Sequence, residues 1–409
     1  MTSESKSKAR AIKYTLLKGF LLSAGVLALN ACSVFSEEEE FEPTSLPDYE
    51  EELTVETLWD YSVGNGLGEI GVKLEPAVDG DVIFAADTYG LVVALDRHTG
   101  DELWEVELVD IVKDEDGDED ETPVQLSGGV GAGAGLVLIG SFDGELIALS
   151  QVDGSEQWRV QLSSEILSVP QTDGDVIVTQ TQDGKLYGHE LDGTRRWVYD
   201  GTIPVLTLRG TSSPVLVKGL ALSGLASGKL VAIRLSNGIP IWEQRVAVAQ
   251  GKSELDRIID VDSQPLVDGG MVFSTSYQGR VMAVAIDSGR VRWQEDISSY
   301  QSMAAGFGNL YTVNAEDEII ALDKRKSDEK WKQSALTYRR LTSPSILDNY
   351  LVIADYDGYV HFLSQVDGRF VARERADRDG VRTKPLVTGN TVYVMGNSGE
   401  LTAYQVTEE

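Results

Sequence analysis

A turn carrying glycine returns at a nearly constant step along this chain, at Gly90, Gly144, Gly184, Gly228, Gly279, Gly358 and Gly399, with Asp317 in the equivalent place of the sixth unit. The seven steps between Gly90 and Gly399 average about 44 residues. Before most of these turns stands an apolar run such as DVIFAA, DVIVTQ or TVYVMG, opened by Pro76, Pro170, Pro265 or Pro385, with Pro214 and Pro344 opening two more units. After the turn comes a second apolar run, such as LVVAL or EIIAL, and then another turn. Four residues past that second glycine sits a tryptophan: Gly100 precedes Trp104, Gly154 Trp158, Gly193 Trp197, Gly238 Trp242 and Gly289 Trp293. Unit six has Ser327 before Trp331, and unit seven has Gly368 followed by Ala372. Four short strands in this length form a β-propeller blade, because hairpin-sized loops leave no room for crossover helices. The eighth unit runs from Pro385 to about Val406 and lacks its tryptophan strand, whereas the segment from Leu53 to Val63, with Trp59, has no unit of its own. The expected fold is all-β: an eight-bladed β-propeller of four-stranded antiparallel blades, closed by the N-terminal strand pairing into the last blade. Closure removes open edges. One tryptophan per period in one register points to packing between neighbouring blades rather than to a sugar- or cofactor-binding stripe.

Composition narrows the function. Among 409 residues, 35 Lys and Arg face 66 Asp and Glu, for a net charge of −31. A general nucleic-acid binder needs the opposite balance, and the chain as a whole is repelled by anionic lipid headgroups. The single cysteine, Cys32, excludes an intrachain disulfide and a cysteine-built metal site. His98, His189 and His361 are dispersed, with no metal-binding spacing. No metal and no cofactor is expected.

The N-terminus reads as an address. Lys6, Lys8, Arg10, Lys13 and Lys18 precede an uncharged run, GFLLSAGVLALNA, over residues 19–31. That run is short for a bilayer span and suits a signal-peptide core. Leu29-Asn30-Ala31-Cys32 resembles a bacterial lipobox, which implies lipidation at Cys32, and Ser33 fits export to the outer membrane. The alternative is a plain secretory signal with an incidental cysteine. Residues 34–53, VFSEEEEFEPTSLPDYEEEL, are acidic and contain proline, the composition of a disordered tether. The expected organisation is a signal peptide over 1–31, a lipidated acidic tether over 32–53 and the propeller over 54–409.

The stretch Ala94-Leu-Asp96-Arg-His-Thr-Gly100-Asp-Glu-Leu-Trp104 resembles the AxDxxxGxxxW repeat of pyrroloquinoline quinone dehydrogenases. Enzymes and non-enzymes share that pattern, and no compact carboxylate–Asn set here offers a metal site. Over the whole chain the resemblance is stronger to the BamB family of outer-membrane β-barrel assembly lipoproteins. It is carried by the lipobox, the short tether and the eight repeats. It is carried as well by Leu206-Thr-Leu208-Arg209-Gly210-Thr-Ser-Ser-Pro214, Ser253-Glu-Leu-Asp256-Arg257-Ile-Ile-Asp260-Val-Asp262, Arg339-Arg340-Leu341-Thr-Ser-Pro344 and Asp357-Gly358-Tyr359-Val-His361. The resemblance implies a non-enzymatic scaffold, anchored in the outer membrane of a Gram-negative bacterium and facing the periplasm. It implies docking onto the POTRA domains of BamA, alongside other subunits of the assembly complex and nascent outer-membrane proteins. Carried over, the contact residues are Leu206, Leu208, Arg209, Asp260 and Asp262.

The residues themselves bear on that site. In a propeller every blade-to-blade connection leaves on one face, so residues 198–213 and 246–264 project from the same rim, and long loops on a rigid scaffold carry function. An exposed leucine pair beside Arg209 suits an interface anchor, while burial of both leucines under the loop is the alternative. Asp260 and Asp262 could also pair with Arg209 or Arg257. Arg339, Arg340, Arg373, Arg375, Arg378, Arg382 and Lys384 lie on connections of the same rim. They read either as balance for Glu374, Asp377 and Asp379 or as a second surface for an acidic partner. The acidic stretch from Asp114 to Glu121 has its glycine at the fourth place, not the sixth that an EF-hand requires, and reads as a solvated insertion. A quinoprotein dehydrogenase and a glycan-binding propeller remain the alternatives to a scaffold.

Overall fold

The computed structural model describes residues 42–68, 72–113, 119–201, 211–247 and 259–408. By its backbone contacts the chain divides into two units, residues 1–42 and residues 43–409. The second unit is an eight-bladed β-propeller. Among the described residues, eight four-stranded sheets contain all but two of the strands, and the remaining pair forms a hairpin, Val109–Lys113 with Glu119–Pro123, between blades one and two. That hairpin carries the acidic insertion, of which residues 114–118 lie outside the described residues.

The ring closes as the repeat arithmetic requires. Strand Leu53–Ser62 pairs antiparallel with Glu400–Glu408, from Leu53 opposite Glu408 to Ser62 opposite Glu400, and completes blade eight. The two middle strands of a blade are buried on both faces because another blade lies on each side. Val82–Ala86 and Leu91–Asp96 of blade one are almost wholly inaccessible, and their counterparts follow suit. The outer strands alternate, with every second side chain in water, as in Glu102–Glu107 and Pro240–Arg245.

Each letter of the AxDxxxGxxxW pattern has a separate physical task. Asp96 caps the second turn, its Oδ1 accepting the backbone N–H groups of His98 at 2.8 Å and Thr99 at 3.1 Å. Gly100 has φ +75°, and its bare face lies on the ring of Trp59 from the preceding blade, where a Cβ would come within 2.8 Å of the indole. In each blade the outer strand carries a bulge one residue before the tryptophan position, at Leu58, Leu103, Gln157, Arg196, Ile241, Arg292, Lys330 and Val371. The bulge sets the tryptophan opposite a small residue of the neighbouring strand: Ala94 for Trp104, Ala148 for Trp158, Gly188 for Trp197, Ala232 for Trp242.

All seven indole N–H groups then donate to a carbonyl in the second turn of the next blade. Trp59 reaches Arg97 O at 3.0 Å, Trp104 Gln151 O at 2.9 Å and Trp242 Ile286 O at 2.8 Å. Trp158, Trp197, Trp293 and Trp331 do the same with Leu191, Leu235, Lys324 and Gln365. The packing role expected from the register is therefore present, with a hydrogen bond added. The exception in unit seven is a consequence of closure. Blade eight has no second turn, because its outer strand arrives from the other end of the chain, so an indole at position 372 would find neither carbonyl nor glycine. Ala372 stands there, and the volume moves across the pair to the fully buried Phe362.

Residues 44–52, read from composition as part of a disordered tether, are instead packed along the outer edge of blade seven. Thr44 N–H donates to Thr337 O at 3.1 Å, Leu46 and Tyr49 pack on the cluster around Trp331 and Phe370, and Glu52 N–H donates to Val371 O at 2.9 Å. Acidic composition is a poor guide here because Leu46, Pro47 and Tyr49 face the blade while Asp48, Glu50 and Glu51 face water.

His189, at the end of strand Lys185–His189, is 2% exposed, and burial holds its pKa down to about 4, with nearby Arg195 acting in the same direction. The folded imidazole stays neutral while the unfolded one gains a proton below about 6.5. This residue's contribution is therefore complete above that pH and lost as the pH falls toward 4, by roughly 3 kcal/mol in all. His189→Asn should flatten the acid limb of a plot of unfolding free energy against pH. An unchanged slope would mean that the folded protein binds that proton.

Candidate docking surface

The rim that carries the inter-blade connections is built by a repeated bond. The residue leaving each outer strand donates its N–H to the glycine carbonyl of that blade's first turn: Leu108 to Gly90, Leu162 to Gly144, Val246 to Gly228 and Ala376 to Gly358, at 2.8–2.9 Å. Connections and first turns therefore share one face. The connections next fold back over the blade they leave, and glycines of that blade give them room. A Cβ on Gly224 would come within 2.0 Å of Val261 O, and one on Gly228 within 2.7 Å of Ile259.

The described ends of the two connections singled out in the sequence meet on this rim. Ser212, at the end of the first, donates its buried hydroxyl to the carbonyl of Ser263, at the end of the second, at 2.9 Å. A separation of 51 residues is one blade plus connections, so neighbouring loops meet. Leu206, Leu208 and Arg209 lie outside the described residues. Asp260 is 1% exposed and sits in an isolated bridge with Tyr277, whose N–H donates to Asp260 O at 3.1 Å. Asp262 points inward. Burial pushes its pKa up to about 6, against the lowering effects of a hydrogen bond with Asp260 and of Lys73. Both aspartates thus face the protein interior, and Arg209 and Arg257, the partners weighed for them, lie outside the described residues.

Asp262 lines a cavity of about 730 Å³ on the propeller axis, together with Lys73, Glu75, Tyr300 and Lys384. Lys73 reaches it from the connection between blades eight and one, its Nζ 3.4 Å from Gln301 Oε1 of the connection leading into blade six. The blade eight to blade one connection buries Val63, Leu67, Val72 and Leu74. Lys73 stays accessible through the cavity, yet the protein around it withdraws enough water to push its ammonium, like that of Lys384, below the usual lysine range. Sequence reasoning missed Lys73 because nothing local distinguishes it from a surface lysine.

The basic connections do not form one surface. Arg339 is 4% exposed, with Nε 2.7 Å from Asp355 Oδ2, Nη2 2.7 Å from Asp357 Oδ2 and Nη1 donating to Thr44 O at 3.0 Å. Arg373 donates to His361 Nδ1 at 3.1 Å and to Pro47 O at 3.1 Å, and it stacks 4.9 Å above the Tyr49 ring. Arg382 bonds Asn397 Oδ1 at 2.7 Å and Gly68 O at 2.6 Å. Lys384 faces the axial cavity. Of the seven, only Arg340, Arg375 and Arg378 are exposed. The cations are balanced chiefly by Asp355, Asp357 and backbone carbonyls, rather than by Glu374, Asp377 and Asp379.

The family model described as outer membrane protein assembly factor BamB matches residues 51–124 and 109–333. This chain belongs to the BamB family. It is 48% identical over 386 residues to outer membrane protein assembly factor BamB of Pseudomonas aeruginosa, covering 94% of this chain and 98% of that protein. To BamB of Escherichia coli it is 35% identical over 398 residues, covering 97% and 99%. Among solved structures, BamB from Moraxella catarrhalis superposes with a TM-score of 0.76 at 24% identity, covering 86% of this chain and all of that one. A europium-containing methanol dehydrogenase shares the fold, at a TM-score of 0.65 and 12% identity over 83% of this chain and 84% of that one. The family expectation drawn from lipobox, repeats and rim motifs is thereby met, and the dehydrogenase likeness is one of fold.

Proposed function

We propose that this BamB-family chain is a non-enzymatic scaffold of the outer-membrane β-barrel assembly complex. It is held by lipid at Cys32 in the outer membrane, faces the periplasm and docks on the POTRA domains of BamA. It acts by binding and orientation, bringing nascent outer-membrane proteins to the barrel-inserting subunit. The observation that carries the reading is the Ser212–Ser263 junction, which supports a composite surface made of two neighbouring loops in a chain whose relatives are named as assembly factors. Leu206 and Leu208 supply the apolar anchor and Arg209 the charge. Asp260 ties the described end of the second connection to Tyr277, and Asp262 faces the axial cavity.

Titration of the purified propeller with a POTRA fragment tests this. Arg209→Glu should weaken binding by about 30-fold or more, the scale of a central interface residue. Unchanged affinity would remove Arg209 from the contact.

A further inference from the structure

The segment ahead of the closing strand decides where the chain leaves the propeller. It runs along blade seven from one face to the other. Glu52 lies beside the second turn, where both its carboxylate oxygens bond Arg369 at 2.8 Å. Thr44 lies at the opposite end, on the rim, bonded to Thr337 and Arg339 in the connection between blades six and seven. The bonds in between are those of Pro47 O and Tyr49 with Arg373. The chain therefore departs at the rim that also carries Ser212 and Ser263.

From Glu42 back to Cys32 is ten residues, which reach at most about 36 Å fully extended. A six-residue outer strand is about 20 Å tall. A bilayer on the second-turn face would force the leash to retrace that height and spend more than half its length. A bilayer at the rim requires no such return. Three exposed cations lie around the same exit, Arg340 and Arg378 on the flanking connections and Arg375 stacked 5.1 Å from the Tyr359 ring centroid, while Arg245 is exposed at the equivalent place in blade four. Exposed acids in this sector are Glu42 at the exit itself, Asp48 on the docked segment, Glu316 and Asp379, while Asp357 is bonded to Arg339. Arg325 and Lys326 on the second turn of blade six are exposed as well, so charge alone does not choose the face. The docked segment does.

We propose that the rim carrying the inter-blade connections faces the bilayer, with Arg340, Arg375 and Arg378 set against anionic headgroups where the chain leaves blade seven. The proposal rests on the lipid anchor of the scaffold reading. It places both attachments, lipid and partner, on one face, so a docked partner domain sits on the membrane side of the propeller.

The test uses the full-length lipidated protein on vesicles of phosphatidylethanolamine and phosphatidylglycerol. Lipid occupies the sole natural cysteine, so single thiols can be labelled at E316C and D143C on rim turns and at V366C and V152C on second turns, all four sites being exposed. Energy transfer to a headgroup dye should be about twofold or more higher from positions 316 and 143 than from 366 and 152, given a separation of about 20 Å. Releasing the segment with Leu46→Ala and Tyr49→Ala should erase the difference. Arg340→Glu with Arg378→Glu should reduce transfer at D143C, and no reduction would remove the headgroup contact. Flotation separates the two levels of failure. Protein that does not float overturns the lipid anchor and the orientation with it. Protein that floats with equal or reversed transfer overturns the orientation alone.

Discussion

Arg339→Met should lower the free energy of unfolding by about 3–5 kcal/mol, the expected scale for removing one partner of a buried ion pair. The guanidinium fills a site 4% exposed, between Asp355, which is fully buried, and Asp357. Burial opposes the charge on Asp355, yet hydrogen bonds from His361 at 3.0 Å and Arg339 at 2.7 Å hold its carboxyl below the usual aspartate range. Asp355 Oδ1 also accepts the N–H groups of Asp357 and Tyr359, each at 3.0 Å, and so shapes the first turn of blade seven. Methionine would fill most of the volume and leave that carboxylate facing an imidazole which burial keeps largely neutral. The same change cuts the bond to Thr44 O. Denaturant unfolding gives the measurement, with the exposed neighbour as control: Arg340→Met should stay within about 0.5 kcal/mol of wild type. Adding Asp355→Asn to Arg339→Met should recover part of the loss, since the orphaned charge goes with it. Equal stability of the 339 and 340 variants would show that this ion pair does not hold the blade.

Gly154→Ala should cost about 3 kcal/mol and Gly80→Ala about 1 kcal/mol, although both glycines turn in the left-handed region. Gly154 has φ +71° and Gly80 φ +61°, so backbone strain is common to the two. Surroundings differ. A Cβ on Gly80 meets nothing within 4 Å, whereas one on Gly154 lands 2.7 Å from the Trp104 ring. That ring cannot easily withdraw, because its N–H is bonded to Gln151 O in the same turn and it is 8% exposed. The difference of about 2 kcal/mol is thus the cost of crowding a packed interface. Thermal unfolding of the two variants, side by side, reads it directly. Equal losses would mean that the indole moves aside and that the glycine serves its own turn alone.

Legibility varied with the range of the interaction. The tryptophan and glycine of each unit lie close in sequence to the partners that shape their own strand and turn, and the next blade repeats them, so the packing rule could be read from spacing. Even the irregular unit carried its explanation, because Ala372 falls where the missing second turn of blade eight would be. The rim site was legible in part. The distance between the two motif stretches placed them on adjacent connections, where Ser212 meets Ser263. Which of their side chains face outward was not legible. Asp260 and Asp262 look like surface acids in a chain of charge −31, and one is buried while the other faces an axial cavity.

Repetition along the chain was enough to set the ring: its blade count, its closing strand and its face of connections, because a repeat encodes local hairpins and nearest-neighbour packing in every period. Which charges are interior was settled only by the folded ring. Arg339 and Arg373 reach carbonyls of Thr44 and Pro47 across sequence separations of 295 and 326 residues. No window along the chain contains both members of such a pair. A buried charge is recognised by the partner that permits its burial, and these partners meet only when the ring has closed.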